Sequence, residues 1–555
     1  MMIRDELAQL VEQGVRAAMA QGDLPEVPLP EVTVERPRQP EHGDYASNIA
    51  LKLQRAVGGN PLAIAEKIVA RTPSSPMIGS VEVARPGFIN LRLSDAWLAQ
   101  QVDEILARGE TFADSSVGAG LRVQVEFVSA NPTGPLTVGN GRGAVIGTAL
   151  AAVLEATGHS VEREYYVNDA GTQVETFTQT LYARYQQLFG RHVDIPPDGY
   201  PGEYMVDLAR RIRDEYGDRF LRPPGEPAPD ELGRLGIDLM LDSIKADLAL
   251  LGVRYDVWFR ERSLYEQDSL YERVMALLRE RGYITEKEGA VWFTSSELGE
   301  DKDNVLVRST GAPTYFASDI AYHYHKFAVR GFDRVIDIWG ADHHGHVPRM
   351  KAAVQALGIA PERLTILLYQ LVTVRRGGEV VRLSKRAGDI ILLRDLVEEV
   401  GVDACRFFFL QRSPDSTLDF DIDLAKSQSE KNPVYYVQYA HARIAGILRT
   451  AAERGLTPEG GDVSLLRHPA ELTLIRKMLQ LPELLDLVAR TLEPHHLPYY
   501  AMDLATTFNS DFYRDVRVIS EDQALTRARL KLVAAARLVL ARTLHLMGVS
   551  APDRM

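Results

Sequence analysis

From Leu121 to Phe127, apolar residues (Leu121, Val123, Val125, Phe127) alternate with polar ones (Arg122, Gln124, Glu126), the period-two pattern of a strand. The breaker-rich run Asn131-Pro132-Thr133-Gly134-Pro135 follows as a loop. A helical pattern then gathers Val145, Ile146, Ala149, Leu150 and Val153 on one face, and Gly158 stands where that helix should stop. Val161 to Val167 predicts a second strand. Strand, crossover helix and strand in this length make a βαβ unit of a doubly wound sheet. Strand patterning returns at Val335–Trp339 and Thr365–Tyr369, with a helix between them through Met350, Val354 and Leu357 that stops at Gly358. Arg376-Gly377-Gly378-Glu379 is a hairpin turn signal.

The flanking patterns divide the chain further. Amphipathic helix from Glu6 to Met19, a second helical pattern through Leu62, Ile64, Ile68 and Val69, and a strand at Gly87–Leu91 predict a small α+β domain over residues 1–113. Residues 114–395 form the α/β domain. Within it, helices broken by Pro196-Pro197 and Pro223-Pro224-Gly225 mark a helical insertion at about 175–255, because strand patterning resumes afterwards. Beyond Asp395 the pattern is helical almost to the end: a connecting region over 396–430 and an all-α bundle over 431–555.

Composition narrows the class. A chain of 555 residues is too long for one core, so three or four domains are expected. No apolar run is long enough to span a bilayer, and the start, Met1-Met2-Ile3-Arg4-Asp5-Glu6, lacks a signal-peptide layout. Cys405 is the only cysteine, which excludes an intramolecular disulfide and a Cys-based zinc site and is most simply a core residue. These features together predict a cytoplasmic protein. The net charge of −13 argues superficially against a nucleic-acid partner. From Arg514 to Arg542, however, seven Lys/Arg stand against three Asp/Glu, 7 − 3 = +4, so a basic face is possible. His343, His344 and His346 find no fourth ligand at a sensible spacing, so no metal site is expected.

Two segments carry candidate chemistry. Thr133 to Gly143 follow a strand and open a helix, the place where free N–H groups and a positive dipole end can hold phosphate; a Gly- and Pro-rich turn would read the same way. Arg382-Leu383-Ser384-Lys385-Arg386-Ala387-Gly388 is either a solvated basic loop or a loop that closes its lysine over a polyphosphate. Found together, they resemble the helix-start signature and the Lys-Met-Ser-Lys-Ser-like loop of class I aminoacyl-tRNA synthetases. Longer words narrow the resemblance to the bacterial arginyl-tRNA synthetases: Val125 to Pro135, Tyr165-Tyr166-Val167-Asn168-Asp169-Ala170-Gly171, Tyr200 to Tyr204, Thr314 to His323, Trp339 to His344, and Lys431 to Arg443. The resemblance runs from His42-Gly43-Asp44-Tyr45 to Met555, nearly the whole chain.

What the resemblance implies is specific. The fold would be a Rossmann-like nucleotide-binding catalytic domain with a helical insertion, an N-terminal α+β domain that touches tRNA, and a C-terminal all-α anticodon-binding bundle. The reaction would be ATP-dependent activation of arginine and its transfer to the 3′ end of tRNA(Arg), with Mg2+ accompanying ATP, no tightly bound cofactor and no membrane, carried out by a monomer. Lys385, Ser384 and Arg386, with Thr137 and Asn140 of the signature, would be catalytic. Pro135, Gly139, Gly141, Arg142, Gly340, Asp342 and His343 would bind ATP. Glu126, Ser129, Asn131, Tyr315, Asp319 and Glu261 would hold arginine, whose planar cation wants carboxylates and an aromatic face. Tyr435, Tyr436 and Tyr439 would either stack on unpaired bases or form a buried helix face. One departure stands out: the family's signature begins and ends with histidine, where this chain has Thr137 and Asn140, and Thr148 stands where the family tends to carry aspartate. The departure motivates an alternative, a catalytically weak or silent tRNA-binding paralogue. A second rival, an adenylate-forming ligase without tRNA, leaves the C-terminal helices without a role.

Overall fold

The computed structural model of the chain describes residues 2–266, 269–381 and 391–555. At its centre is a five-stranded, wholly parallel sheet formed by Arg122–Phe127, Ser160–Val167, Val257–Arg260, Arg334–Gly340 and Leu364–Tyr369. Taken in chain order, these strands lie in the sheet as 3-2-1-4-5. The order reverses between the first and fourth strands, and at such a switch point the connections leave in opposite directions and open a crevice at the carboxyl ends. The crossover helix Val138–Ala156 is buried along most of its length against the first strand. Gly147 makes that approach possible, because a Cβ there would lie 2.2 Å from the Phe127 ring.

The helical insertion consists of Thr172–Gln187, Glu203–Tyr216 and Asp230–Leu250, packed on a small core of their own that includes Phe177, Leu181, Tyr185, Met205 and Ile212. The two proline runs occupy the breaks between these helices. Between the third and fourth strands lies an element that the hydrophobic pattern did not suggest. Helix Leu270–Glu280 is followed by a three-stranded antiparallel sheet of Ile284–Lys287, Ala290–Phe293 and Asn304–Val307. Each of these strands has four residues, too few for alternation to stand out.

The expectation of helix beyond Asp395 needs a correction as well. Leu418–Asp421 is a strand that pairs in parallel with Val372–Arg376, its Leu418 and Phe420 buried and its aspartates outward. The C-terminal region is otherwise helical, with Pro433–Glu453 and Gln523–Leu546 as its longest members.

The N-terminal part contains a four-stranded sheet with helices that include Ile3–Ala20, Pro61–Arg71 and Asp95–Arg108. It docks on the C-terminal helices through ion pairs: Arg36–Glu483 at 2.8 Å, Arg476–Asp44 at 2.9 Å, Lys531–Asp103 at 2.7 Å and Arg542–Asp114 at 2.6 Å. This docking revises the reading of the basic stretch. Besides Lys531 and Arg542, Arg514 pairs with Asp515, Arg529 with buried Glu471, and Arg537 with Asp553. Most of the local positive charge therefore joins the protein to itself and is not free to form a basic face.

Gly147→Ala should force the crossover helix away from Phe127 and destabilise the protein by about 1–3 kcal/mol, as overpacking of a filled core does. Chemical denaturation of the variant beside the parent checks this.

Candidate active site

The sheet register sets three carboxylates side by side. Asp337 on the fourth strand is the Cα partner of Glu126 on the first, and Glu126 is the partner of Glu164 on the second. All three side chains are buried. Such a row is unfavourable unless cations and donors reach it. They come from one stripe of the helix Tyr315–Tyr324 and the π-helical turn His325–Val329 that continues it. Lys326 Nζ donates to Glu126 Oε2 at 2.5 Å and to Asp337 Oδ1 at 2.8 Å. His323 Nε2 meets Asp337 Oδ2 at 2.8 Å, and Tyr322 and Arg330 bond Glu164. Burial works to raise the Asp337 carboxyl, but Lys326 and His323 overcome it and bring it down to about 2. Burial likewise works against the Lys326 ammonium, and the carboxylates around it outweigh that and raise it.

Above this row lies a cleft of about 420 Å³. It is lined at the carboxyl ends of the strands by Glu126, Ser129, Asn131, Glu261, Tyr315, Asp319, Gly340, Asp342 and His343, and by Asn140 from the crossover helix. Burial pushes the Asp319 carboxyl up to about 7, helped by Glu126 and opposed by His323. Glu261 also rises to about 7, mainly through burial, with Asp319 adding to it. The cleft thus holds more carboxylate than the protein neutralises. Glu126 does find a cation within the chain, Lys326, which the sequence reading left to a ligand. The signal was present: Asp319, Tyr322, His323 and Lys326 recur at i, i+3, i+4 and i+7, one face of a helix.

Local backbone shapes the floor. Val128 and Ser129 have φ of 70° and 39°, a left-handed conformation that costs a β-branched residue on the order of 1–3 kcal/mol. The turn lets the Ser129 hydroxyl donate to Glu126 Oε1 at 2.8 Å while its own oxygen accepts from the Tyr166 N–H at 3.1 Å. Asn131 donates to Gln173 at 2.6 Å, tying the loop to the helical insertion, and Tyr204 donates to the Thr133 carbonyl at 2.8 Å. The Asn168 amide, in the orientation its neighbours require, donates to Glu261 Oε2 at 2.7 Å.

At the helix start, Thr137 is the N-cap. Its backbone N–H and its hydroxyl both donate to Asn140 Oδ1, each at 2.9 Å. The Thr137 hydroxyl is therefore engaged within the cap, and the Asn140 NH2 is the donor left at the cleft. Pro135 and Gly139 lie half-buried in this loop and first turn. Gly141 faces away from the cleft, where a Cβ would lie 2.5 Å from Leu393. Arg142 requires a correction. It is fully buried, and its guanidinium donates to the carbonyls of Gln370, Ser416 and Ser413 at 2.8–2.9 Å. A fork spent on three backbone oxygens locks the helix to the connecting region and does not reach a nucleotide.

Ser384, Lys385 and Arg386 lie outside the described residues. The chain that follows them is fixed, since Val138 N–H donates to the Ile391 carbonyl at 3.1 Å and Leu393 N–H to the Leu136 carbonyl at 2.9 Å. Asp342 and His343 are exposed on the rim, 3.5 Å apart. Among the described residues, the histidines of this rim belong to no group arranged to hold a metal ion. In the C-terminal helices the tyrosines divide. Tyr436 packs against the core, whereas Tyr435 and Tyr439 stack at 6.2 Å, with Arg443 over both Tyr439 and exposed Tyr513.

Residues 101–194 and 230–419 match the family model for the catalytic domain of class I tRNA synthetases (R). Residues 3–93 match the arginyl tRNA synthetase N terminal domain, and 437–555 the DALR anticodon binding domain. An arginine–tRNA ligase of Dehalococcoides mccartyi is 53% identical over 553 residues, covering 100% of this chain and 99% of the relative. The chain belongs to the arginyl-tRNA synthetases. Another family member, the arginine–tRNA ligase of Carboxydothermus hydrogenoformans, is 49% identical over 97% of each chain. The fold is shared with the arginyl-tRNA synthetase of Thermus thermophilus, at a TM-score of 0.77 with 22% identity and both chains fully covered. It is shared also with that of Plasmodium falciparum, at 0.75 and 18% over 100% of this chain and 99% of the other.

For the helix-start arginine of this synthetase chain, the geometry gives a direct expectation. Arg142→Lys cannot reproduce three carbonyl bonds and should cost at least about 2 kcal/mol, since hydrogen bonds of a charged donor contribute about 1.5–3 kcal/mol each. Denaturation midpoints of the two proteins test it.

Proposed function

We infer that the chain activates arginine with ATP to arginyl-adenylate and transfers it to the 3′ end of tRNA(Arg), releasing pyrophosphate and AMP. The observation that carries this is the surplus of carboxylate in the cleft. Asp319 and Glu261, with Tyr315 beside them, lie where a planar guanidinium supplies the missing positive charge. The arginine carboxylate attacks the α-phosphate in line and pyrophosphate leaves. The terminal ribose hydroxyl of tRNA then attacks the adenylate carbonyl and AMP leaves. No covalent enzyme intermediate is needed, so the protein contributes positioning and charge stabilisation.

The Asn140 amide and the Gly139 N–H at the helix start serve the phosphates, and the Lys385 segment acts on the leaving pyrophosphate, with Mg2+ entering as part of the ATP complex. Gly340, Asp342 and His343 serve the adenosine end. Tyr435 and Tyr439, backed by Arg443, offer a stacking platform to unpaired bases. We assign a monomer. No helix of the described residues is long and apolar enough to cross a membrane, and an enzyme of translation works in the cytoplasm, the location we assign. A silent tRNA-binding paralogue has no use for a carboxylate-rich pocket, and Thr137 serves its helix as a cap.

Aminoacylation of total bacterial tRNA with each of the twenty amino acids tests the reading: labelling with arginine alone is expected, and no labelling by folded protein that still binds tRNA would overturn it. The same assay gives a pH dependence. Asp319 and Glu261 bind protons more tightly in the folded protein than when unfolded, and a guanidinium favours their ionised forms. The free protein therefore loses stability as pH rises from the ordinary carboxylate range to about 7, while the KM for arginine rises as pH falls below about 7, by about tenfold per unit for each group that must ionise.

A further inference from the structure

Lys326 is fully buried and does not line the cleft, yet it bonds two residues that do, Glu126 and Asp337. Its ammonium grips Glu126 Oε2 from beneath at 2.5 Å, while the Ser129 hydroxyl holds Oε1 at 2.8 Å. One donor on each oxygen fixes the carboxylate plane and leaves the remaining lone pairs for the cleft. The other contacts of Lys326 keep the ammonium itself in place: Asp337 Oδ1 at 2.8 Å and the face of Tyr322 at 4.3 Å. The π-helical turn His325–Val329 adds its extra residue at this point, on the helix that two turns earlier presents Asp319 to the same cleft. Such turns recur at functional sites because they re-aim one side chain without ending the helix.

We propose that Lys326 is a positioning residue for the amino-acid substrate: acting through Glu126, it sets how well the cleft binds arginine without touching arginine or ATP. The proposal rests on the reading of the cleft as an arginine site. Removing one partner of a buried pair leaves the others uncompensated, so K326M alone can fail to fold. K326M/D337N removes the orphaned Asp337 charge with the cation and is compared with D337N.

Steady-state aminoacylation by the full chain is expected to show an arginine KM at least tenfold higher for K326M/D337N than for D337N, with the KM for ATP within twofold. A double-mutant cycle gives the decisive readout. In an E126Q/D337N background, adding K326M should raise the arginine KM no further. An unchanged arginine KM, a parallel rise for ATP, or an effect that persists without the Glu126 carboxylate would each overturn the proposal. Failure of the unmodified protein to charge tRNA with arginine would instead overturn the reading on which it rests.

Discussion

Three carboxylates in register across the central strands, Asp337, Glu126 and Glu164, are the feature around which the catalytic domain is arranged. A parallel sheet leaves its middle strands no solvent to share such charge with, so a helix must cover the row and bring the compensation. The helix from Tyr315 and its π-helical continuation do this with Tyr322, His323, Lys326 and Arg330. Once the row is satisfied, the carboxylates one layer higher, Asp319 and Glu261, remain in excess at the mouth of the crevice. The cation affinity we infer for the crevice would then follow from the fold, from where the sheet reverses its order and from the carboxylates that the covering helix leaves without a counter-charge.

Four of the five central strands were legible in the sequence because they are long and their breakers strong, whereas the third, Val257–Arg260, has only four residues and was not predicted. Leu121–Phe127, the Gly158 stop and the return of strand patterning at Val335 each obey a simple period. The small antiparallel sheet between Ile284 and Val307 and the strand Leu418–Asp421 escaped because four residues give too little alternation to distinguish from loop. Among site residues, those near the strand ends (Glu126, Ser129, Asn131, Gly340, Asp342) could be placed from their motifs, since a strand end at a switch point has one place to be. Arg142 was misread because a charged residue in a helix start suggests a ligand, and sequence alone does not show three carbonyls waiting for it. Lys326 was missed for the converse reason, as a lysine near the end of a helix ordinarily reads as solvated. The role of Lys385 rests on resemblance, since it lies outside the described residues.

The same contrast applies to the chain's positive charge. Arg514 to Arg542 read as a basic stretch, yet Lys531 is tied to Asp103 of the N-terminal part and Arg542 to Asp114 where that part joins the α/β domain. Those pairs, with Arg36–Glu483 and Arg476–Asp44, hold the first and last parts of the chain against each other. The RNA contact we propose for the C-terminal helices therefore rests on the aromatic residues around Arg443 and not on bulk charge.

We infer that the cleft selects a cation because its carboxylates lack one. Isothermal titration with arginine and with citrulline, in which a neutral urea replaces the guanidinium, measures this directly. Arginine is expected to bind with release of protons near pH 7, and citrulline at least about 1,000-fold more weakly, because it leaves buried carboxylates uncompensated. Comparable affinities for the two, or arginine binding without proton release, would contradict it.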